Sequence, residues 1–205
     1  MNMFCFQCQE TARGTGCTVK GVCGKDPQTA AYMDVLLYAV RGIAIVNRTL
    51  REKGTADNEI DHFVLDALFC TITNANFDDE AIIVRIKKAF EIKNILVGTA
   101  KKRNIALPDM PEVAYFVSEE NYLAEAAEVG VLSEPNEDLR SLKQMVIYGV
   151  KGAAAYTEHA LNLGFEDHDI YAMIENALVE ISRSDISAEE LVSLVLNVGE
   201  CGVKV

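Results

Sequence analysis

Residues 27–51 have the sequence PQTAAYMDVLLYAVRGIAIVNRTLR, which contains the longest helical pattern of apolar residues near the start of the chain. Its apolar residues recur at helical spacing and form one stripe, which consists of Ala31, Val35, Ala39, Ile43 and Val46. Asp26 can cap the first turn, and Pro27 suits the first helical position. We therefore predict a helix that runs to about Glu52 and stops at Gly54.

The rest of the chain continues this pattern. Stripes of the same kind predict further helices at 60–72, at 78–103, from 118, at 137–163, after Asp167 and after Ser187. The last of these helices starts with the capping-box sequence Ser187-Ala-Glu-Glu190. No convincing strand pattern is present before residue 203. The sequence therefore predicts an all-α protein.

The segment 104–116, NIALPDMPEVAYF, contains two prolines and is typical of a linker. With three main helices on each side, it predicts two antiparallel three-helix bundles, at about 27–104 and 113–200. An irregular cysteine-rich loop, 1–26, precedes them. The final residues 199–205, GECGVKV, end in a strand-like Val-Lys-Val, and we expect a chain that was truncated or excised from a longer one.

Charge and hydropathy exclude several function classes. The chain has 31 acidic and 19 basic residues, a net charge of −12, which disfavours binding to nucleic-acid phosphates. Asp34 and Arg41 interrupt the most apolar stretch before it reaches the roughly 18 residues of a membrane helix. The first residues lack the basic and apolar regions of a secretory signal. We expect a cytoplasmic protein that binds neither nucleic acid nor membrane.

The loop 1–26 carries four of the six cysteines: Cys5, Cys8, Cys17 and Cys23, spaced C-x2-C-x8-C-x5-C. In a reducing compartment, clustered thiols indicate a metal site rather than disulfides. Four thiolates can hold an iron–sulfur cubane, and the glycines of the loop free backbone N–H groups to point at the sulfur atoms. A four-cysteine zinc site stays open, although such sites usually have two C-x2-C pairs.

The local charge of the loop adds a weaker argument for an anionic group. Arg13, Lys20 and Lys25 stand against Glu10 and Asp26, so this segment has a net charge of +1 in an acidic chain. A [4Fe–4S]2+ core with four thiolates has a formal charge of −2, and nearby cations would raise its reduction potential. Three basic residues are also unremarkable in a segment of this length, so the alternative that the local charge has no function stays open.

Three segments and the chain end carry a resemblance to a known family: MFCFQCQETARGTGCTVKGVCGK at 3–25, ITNANFDDE at 72–80, MVIYGVKGAAAYTEHALNLG at 145–164, and GVKV at 202–205. They resemble the helical first domain of the hybrid cluster protein (prismane) family, the hydroxylamine reductases. The resemblance implies a [4Fe–4S] cluster bound by the four cysteines of the loop. It also implies a redox donor protein as the source of electrons, and hydroxylamine or nitric oxide as the substrate.

The same resemblance implies that catalysis needs more than this chain. Family members are far longer, and two further α/β domains supply the ligands of a hybrid iron–sulfur–oxygen cluster. We therefore assign no catalytic residue here and expect no hydroxylamine reduction by the chain alone. The alternative is a stand-alone module that binds an iron–sulfur cluster or zinc for structure or redox sensing. Cys70 is expected in the core, Cys201 at a packing interface, and the three histidines outside any metal site.

Overall fold

The computed structural model describes residues 3–6, 8, 11–55, 57–72 and 75–205. Over these ranges the chain forms eight α-helices and no strand, which confirms the all-α class. The helices are α1 (Pro27–Arg51), α2 (Asn58–Cys70), α3 (Asp79–Lys102), α4 (Pro111–Ala114), α5 (Tyr122–Val129), α6 (Glu137–Asn162), α7 (His168–Glu180) and α8 (Ala188–Lys204). Residues 1, 2, 7, 9 and 10 of the predicted loop and 73 and 74 of the family motif lie outside the described residues.

Most of the predicted helix ends follow local signals in the sequence, but the side chain of Asp26 forms no capping hydrogen bond at the start of α1. Pro27 occupies the first turn of α1, and Gly54, at a φ of +75°, allows the chain to reverse after it. Ser187 accepts a hydrogen bond from the backbone N–H of Glu190 at 3.2 Å, and the Glu190 carboxylate accepts one from the N–H of Ser187 at 2.8 Å. The predicted capping box is thus formed at the start of α8.

The strand-like reading of the chain end is wrong. Helix α8 continues to Lys204, because its core-facing residues recur at helical spacing as far as Cys201, and the exposed Val203 lies in its last turn. Leu191, Leu194, Val198 and Cys201 are the buried members of that face. The predicted linker also contains one helical turn, α4, whose Glu112 accepts a hydrogen bond from Arg41 of α1 at 2.5 Å.

Helix α1 lies at the centre of the fold. It packs against α2, α3, α4, α5 and α7, whereas α6 packs against α2, α7 and α8. Helix α1 thus contacts helices on both sides of the predicted linker. Buried side chains of seven of the eight described helices belong to one hydrophobic core. The division into two sub-bundles stays a prediction.

By length and composition α1 could cross a membrane, with a mean hydropathy of 1.5 over its most apolar window. We expected Asp34 and Arg41 to keep this stretch below the length and hydropathy of a membrane helix, but α1 meets both criteria with these two residues in it. In this fold 83% of that window is buried against other parts of the chain, as in the core helix of a globular domain.

A buried polar cluster joins α1, α2 and α7, and consists of Asn47, Arg51, Asp61 and Glu175. Asn47 Nδ2 donates to Glu175 Oε1 at 2.6 Å, and Arg51 Nη2 donates to Glu175 Oε2 at 3.1 Å and to Asp61 Oδ1. Burial raises the pKa of Glu175 to about 7, and Asp61 adds to this rise, whereas Asn47 and Arg51 oppose it.

Candidate functional site

The backbone of the cysteine loop brings Cys5 and Cys17 side by side. The N–H of Cys5 donates to the carbonyl of Cys17 at 3.0 Å, and the N–H of Cys17 donates back at 2.8 Å. Cys17 is buried in a small apolar cluster with Met3 and with Ala30 of α1. Two of the four predicted ligands are therefore adjacent in space and anchored on the first turn of the central helix.

The ring of Phe4 lies on the turn before Cys17. Gly16 has a φ of +138°, and a Cβ at this position would lie 2.8 Å from Cε2 of Phe4. Only glycine therefore permits both the backbone conformation and the close approach of the Phe4 ring. The rings of Phe4 and Phe6 are stacked, with centroids 6.2 Å apart. This pair of rings can shield the thiols from water.

The second half of the loop is a tight turn around Cys23. The N–H of Gly21 donates to the carbonyl of Lys25, and the N–H of Gly24 donates to the carbonyl of Gly21, both at 2.8 Å. A Cβ at position 21 would lie 3.0 Å from the Cys23 sulfur, so glycine leaves room for this thiol. Cys8 and Cys23 are both half-buried.

The loop fits a thiolate-bound metal group by its donor chemistry, and only in part by its geometry. All six cysteines are among the described residues, and none forms a disulfide. The backbone bridge brings Cys5 and Cys17 together. Within the described ranges, however, no three side chains of the types His, Cys, Asp and Glu are placed to hold a metal ion. The side chains of the four cysteines therefore do not converge in the conformation that the structure describes.

Two lysine side chains are buried at the cysteine loop, Lys25 of the loop itself and Lys151 of α6, whose charge interacts with Lys25 and Cys5. Lys25 is 2% exposed, and its Nζ lies 3.0 Å from Sδ of Met33 in α1. Lys151 of α6 is fully buried, and its Nζ donates to the carbonyl of Thr71 at 3.3 Å. Asp34 of α1 lines a narrow crevice together with Cys5 and Lys25.

The charges of this group act on one another. Burial raises the pKa of Asp34 to about 7, and Lys151 and Lys25 oppose that rise. Burial also lowers the pKa of Lys151 to about 7, and Lys25 lowers it further, whereas Asp34 and the Cys5 thiolate act in the opposite direction. Negative charge at the cysteine loop therefore favours the protonated form of Lys151.

Comparison with known proteins identifies the family. Residues 3–205 match the model of the Prismane/CO dehydrogenase family. The chain belongs to this family. The chain is 53% identical over 203 residues to a hydroxylamine reductase of Bacteroides thetaiotaomicron, covering 99% of this chain and 37% of that protein. It is 49% identical over 205 residues to that of Bacteroides fragilis, covering 100% and 37% respectively.

A more distant member of the Prismane/CO dehydrogenase family, the hydroxylamine reductase of Desulfitobacterium hafniense, is 45% identical over 208 residues. That match covers 100% of this chain and 38% of the relative. The resemblance carried by the cysteine loop and the helical motifs is thus confirmed at the level of the family. The chain spans less than two fifths of the length of these curated relatives.

The remaining cysteines of this prismane-family chain lie in its core. Cys70 is 7% exposed at the end of α2, and burial raises the pKa of its thiol. Cys201 is 2% exposed on the inner face of α8, where burial again raises the pKa. Cys70 is thus in the core, as predicted, and Cys201 packs within the chain itself. Raised thiol pKa values disfavour the thiolate form that metal binding requires.

Sequence reasoning missed Asp34 and Lys151 as neighbours of the loop. Helical spacing could have indicated that Lys151 is buried, because it lies four residues after Ile147 and three before Ala154 on the inner face of α6. A lysine on an apolar stripe is a buried charge that needs a partner. The sequence did not indicate that Lys151, which lies 128 residues after Cys23, is close to the cysteine loop.

Proposed function

We propose that the loop binds a [4Fe–4S] cluster through the thiolates of Cys5, Cys8, Cys17 and Cys23. The observation that carries this proposal is the backbone bridge that holds Cys5 beside Cys17 at the start of a four-cysteine loop. Membership of the Prismane/CO dehydrogenase family supports it, as do the charged side chains of Lys25, Asp34 and Lys151 close to the cysteines. The other two cysteines are buried in the helical core and are not part of the proposed site.

When bound, such a cluster accepts and releases one electron. The loop residues have separate roles in holding it. Each of the four cysteines gives up its thiol proton and ligates through sulfur. Gly16 and Gly24 supply backbone turns at positive φ, and Gly21 leaves space beside Cys23. Phe4 and Phe6 exclude water from one side of the loop.

The function we propose for the chain is electron transfer within a longer hydroxylamine reductase. The relatives bear that name and are more than twice as long as this chain. Reduction of hydroxylamine to ammonia and water consumes two electrons and two protons. We infer that a cytoplasmic redox protein supplies electrons to the loop. We infer further that they pass to a hybrid iron–sulfur–oxygen cluster held by the remaining part of the longer polypeptide.

Metal and sulfide analysis of the 205-residue chain, purified and reconstituted without oxygen, tests this proposal. We expect iron and acid-labile sulfide in equal amounts, in the four-to-four ratio per chain of the cubane formula, and a charge-transfer absorption that bleaches on reduction. Zinc without sulfide would instead support the structural or redox-sensing module.

A pair of cysteine variants makes this test specific for the loop. Cys17 and Cys70 are similarly buried, at 4% and 7% exposure, so their replacement by alanine removes comparable thiols. We expect Cys17→Ala to lose most of the iron and Cys70→Ala to retain it. Equal iron content in the two variants would contradict the assignment of the ligands.

A further inference from the structure

Helices α6 and α8 leave an apolar groove at the surface where they pack side by side. The groove has a volume of about 390 Å3. Its residues on α6 recur at helical spacing, so they form one outward stripe. We call this surface the α6/α8 groove, and the residues that matter here are Met145, Tyr148, Gly152 and Tyr156 of α6 and Val195 and Gly199 of α8.

The α6 side of the groove carries no exposed charge. Residues 144–157 include one charged side chain, Lys151, and it is fully buried. Met145, Tyr148 and Tyr156 are exposed instead, in a chain whose net charge is −12. Exposed tyrosine and methionine without lysine or glutamate is the composition of the buried centre of an interface rather than of a surface that faces water.

Exposed apolar residues on α3 show the ordinary pattern for comparison. Val84 and Ile95 are also exposed, but Lys87, Lys88 and Glu91 are exposed between them. Single apolar side chains among charges are common on the surface of globular proteins and indicate no partner. The α6/α8 groove therefore differs from α3 in the absence of charge and not simply in exposure.

The glycines of the two helices give the groove an open floor. A Cβ at Gly149 would lie 2.5 Å from Cγ1 of Val198, so this glycine lets α6 and α8 pack closely. At Gly152, Gly199 and Gly202, by contrast, no described atom lies within 4 Å of the Cβ position. These three positions leave space in which side chains or backbone of another element can approach the helices.

The length of the relatives indicates what can occupy this space. The chain covers 37% of the hydroxylamine reductases of Bacteroides thetaiotaomicron and Bacteroides fragilis, so more than half of each relative lies outside the match. A covalently connected part of the same polypeptide is present at a high effective concentration. It therefore reaches an exposed apolar groove in preference to a second molecule.

We propose that the α6/α8 groove is the surface on which the part of the longer polypeptide outside these 205 residues docks. This inference rests on the proposed function, in which the chain is part of a longer hydroxylamine reductase. The docked surface is apolar where it covers Met145 and the rings of Tyr148 and Tyr156. It also carries polar groups that bind the two tyrosine hydroxyls, because a buried tyrosine hydroxyl needs a hydrogen-bond partner.

Binding of the dye anilinonaphthalene sulfonate to the 205-residue chain tests whether the groove is an open apolar surface. Gly152→Lys places a charged side chain in the groove, and Gly98→Lys is the matched control on α3, because no described atom lies within 4 Å of either Cβ position. We expect a several-fold loss of dye binding with Gly152→Lys and little change with Gly98→Lys. Equal dye binding by the two variants would overturn the proposal.

Photo-cross-linking in the full-length hydroxylamine reductase of Bacteroides thetaiotaomicron tests what occupies the groove. The photoreactive residue p-benzoylphenylalanine is placed, one position at a time, where that protein aligns with Tyr156 or Met145. The controls are the positions aligned with Ile95 and Val84 of α3. These side chains are 65% and 61% exposed in this chain, against 72% and 55% for Tyr156 and Met145. A mixture of isotopically light and heavy protein distinguishes cross-links within one polypeptide from those between two.

We expect the groove positions to cross-link to peptides of the same polypeptide outside the matched segment, at a yield several-fold above that of the α3 positions. Cross-links between two polypeptides at the groove positions would assign the groove to a second copy and overturn the proposal. Equal yields at the groove and α3 positions, or no cross-link to the rest of the polypeptide, would overturn it as well. This readout does not depend on iron, so a 205-residue chain that takes up no iron and sulfide would overturn the proposed cluster and leave the docking result standing.

Discussion

The ring of Phe4 lies so close to Gly16 that a Cβ at position 16 would be 2.8 Å from its Cε2 atom. Gly16 also has a φ of +138°, a conformation that side-chain-bearing residues rarely adopt. The segment that carries Cys5 is thus packed directly on the turn that leads into Cys17. Two independent physical reasons require glycine at this point.

We expect Gly16→Ala to destabilise the loop by about 1–3 kcal/mol, through backbone strain and the clash with Phe4. Hydrogen exchange of the Cys5 and Cys17 amides, which form the backbone bridge, measures this loss. Gly14→Ala is the matched control, because Gly14 also has a positive φ, of +69°, but no atom lies within 4 Å of its Cβ position. Equal effects of the two variants would show that contact with Phe4 contributes nothing.

The buried cluster of α1, α2 and α7 predicts a pH dependence of stability. The pKa of Glu175 is raised by burial to about 7 in the folded chain, above its ordinary value of 4.5. The folded state therefore binds more protons than the unfolded state between these values. Glu175 contributes most to stability at low pH and loses this contribution as the pH rises from about 4.5 to about 7.

Urea unfolding of wild type and Glu175→Gln between pH 4.5 and 8 measures this effect. The free energy of unfolding of wild type, relative to that of the variant, should fall by on the order of 1–3 kcal/mol as the pH rises through this window. Parallel pH profiles for the two proteins would mean that Glu175 has no raised pKa in the folded state.

The capping box of α8 predicts a local stability effect. Replacing Ser187 by alanine removes the side-chain acceptor for the Glu190 N–H and should cost about 1 kcal/mol in thermal unfolding. Ser193→Ala is the control on the same helix, since its exposed hydroxyl donates only to the carbonyl of Glu189 within that helix. A loss of stability no larger for Ser187→Ala than for Ser193→Ala would contradict the capping role.

We expect the 205-residue chain, with its cluster loaded, to reduce no hydroxylamine above the background of the reductant. The reason is that the hybrid-cluster ligands are expected in the remaining part of the longer relatives. Ammonia formation with reduced methyl viologen as donor is the measurement, and the full-length hydroxylamine reductase of Bacteroides thetaiotaomicron is the positive control. Sustained turnover by this chain would show that it carries a catalytic site of its own.

The helices could be predicted from the sequence because their signals are local. Pro27, Gly54 and the Ser187 capping box mark helix ends by backbone conformation and hydrogen bonding within one turn. The Val-Lys-Val reading at the chain end was wrong because two or three residues are too few to distinguish a strand from the last turn of a helix. Only the packing of Cys201 and its neighbours decides between the two.

The charges close to the loop could not be predicted from the sequence. Helical periodicity places Lys151 on the inner face of α6, and the same rule places Asp34 beside buried residues of α1. Helical periodicity does not indicate which distant helix or loop each inward-facing residue contacts, because that depends on how the helices pack. The four cysteines of the loop were predicted as a group because their spacing within one short segment is itself the signal.

Hydrogen exchange of the loaded and stripped chain shows whether the cluster orders the loop without ordering the helices. Residues 1–26 lack an apolar period, so four iron–thiolate bonds should order them, whereas the helices from Pro27 onward have stripes and caps of their own. Removal of the cluster by oxidation and chelation should therefore abolish amide protection in the loop, including at Cys5 and Cys17, and leave protection in α1 to α8 largely unchanged. Equal protection of the loop in both forms, or loss of protection throughout the helices, would contradict the account.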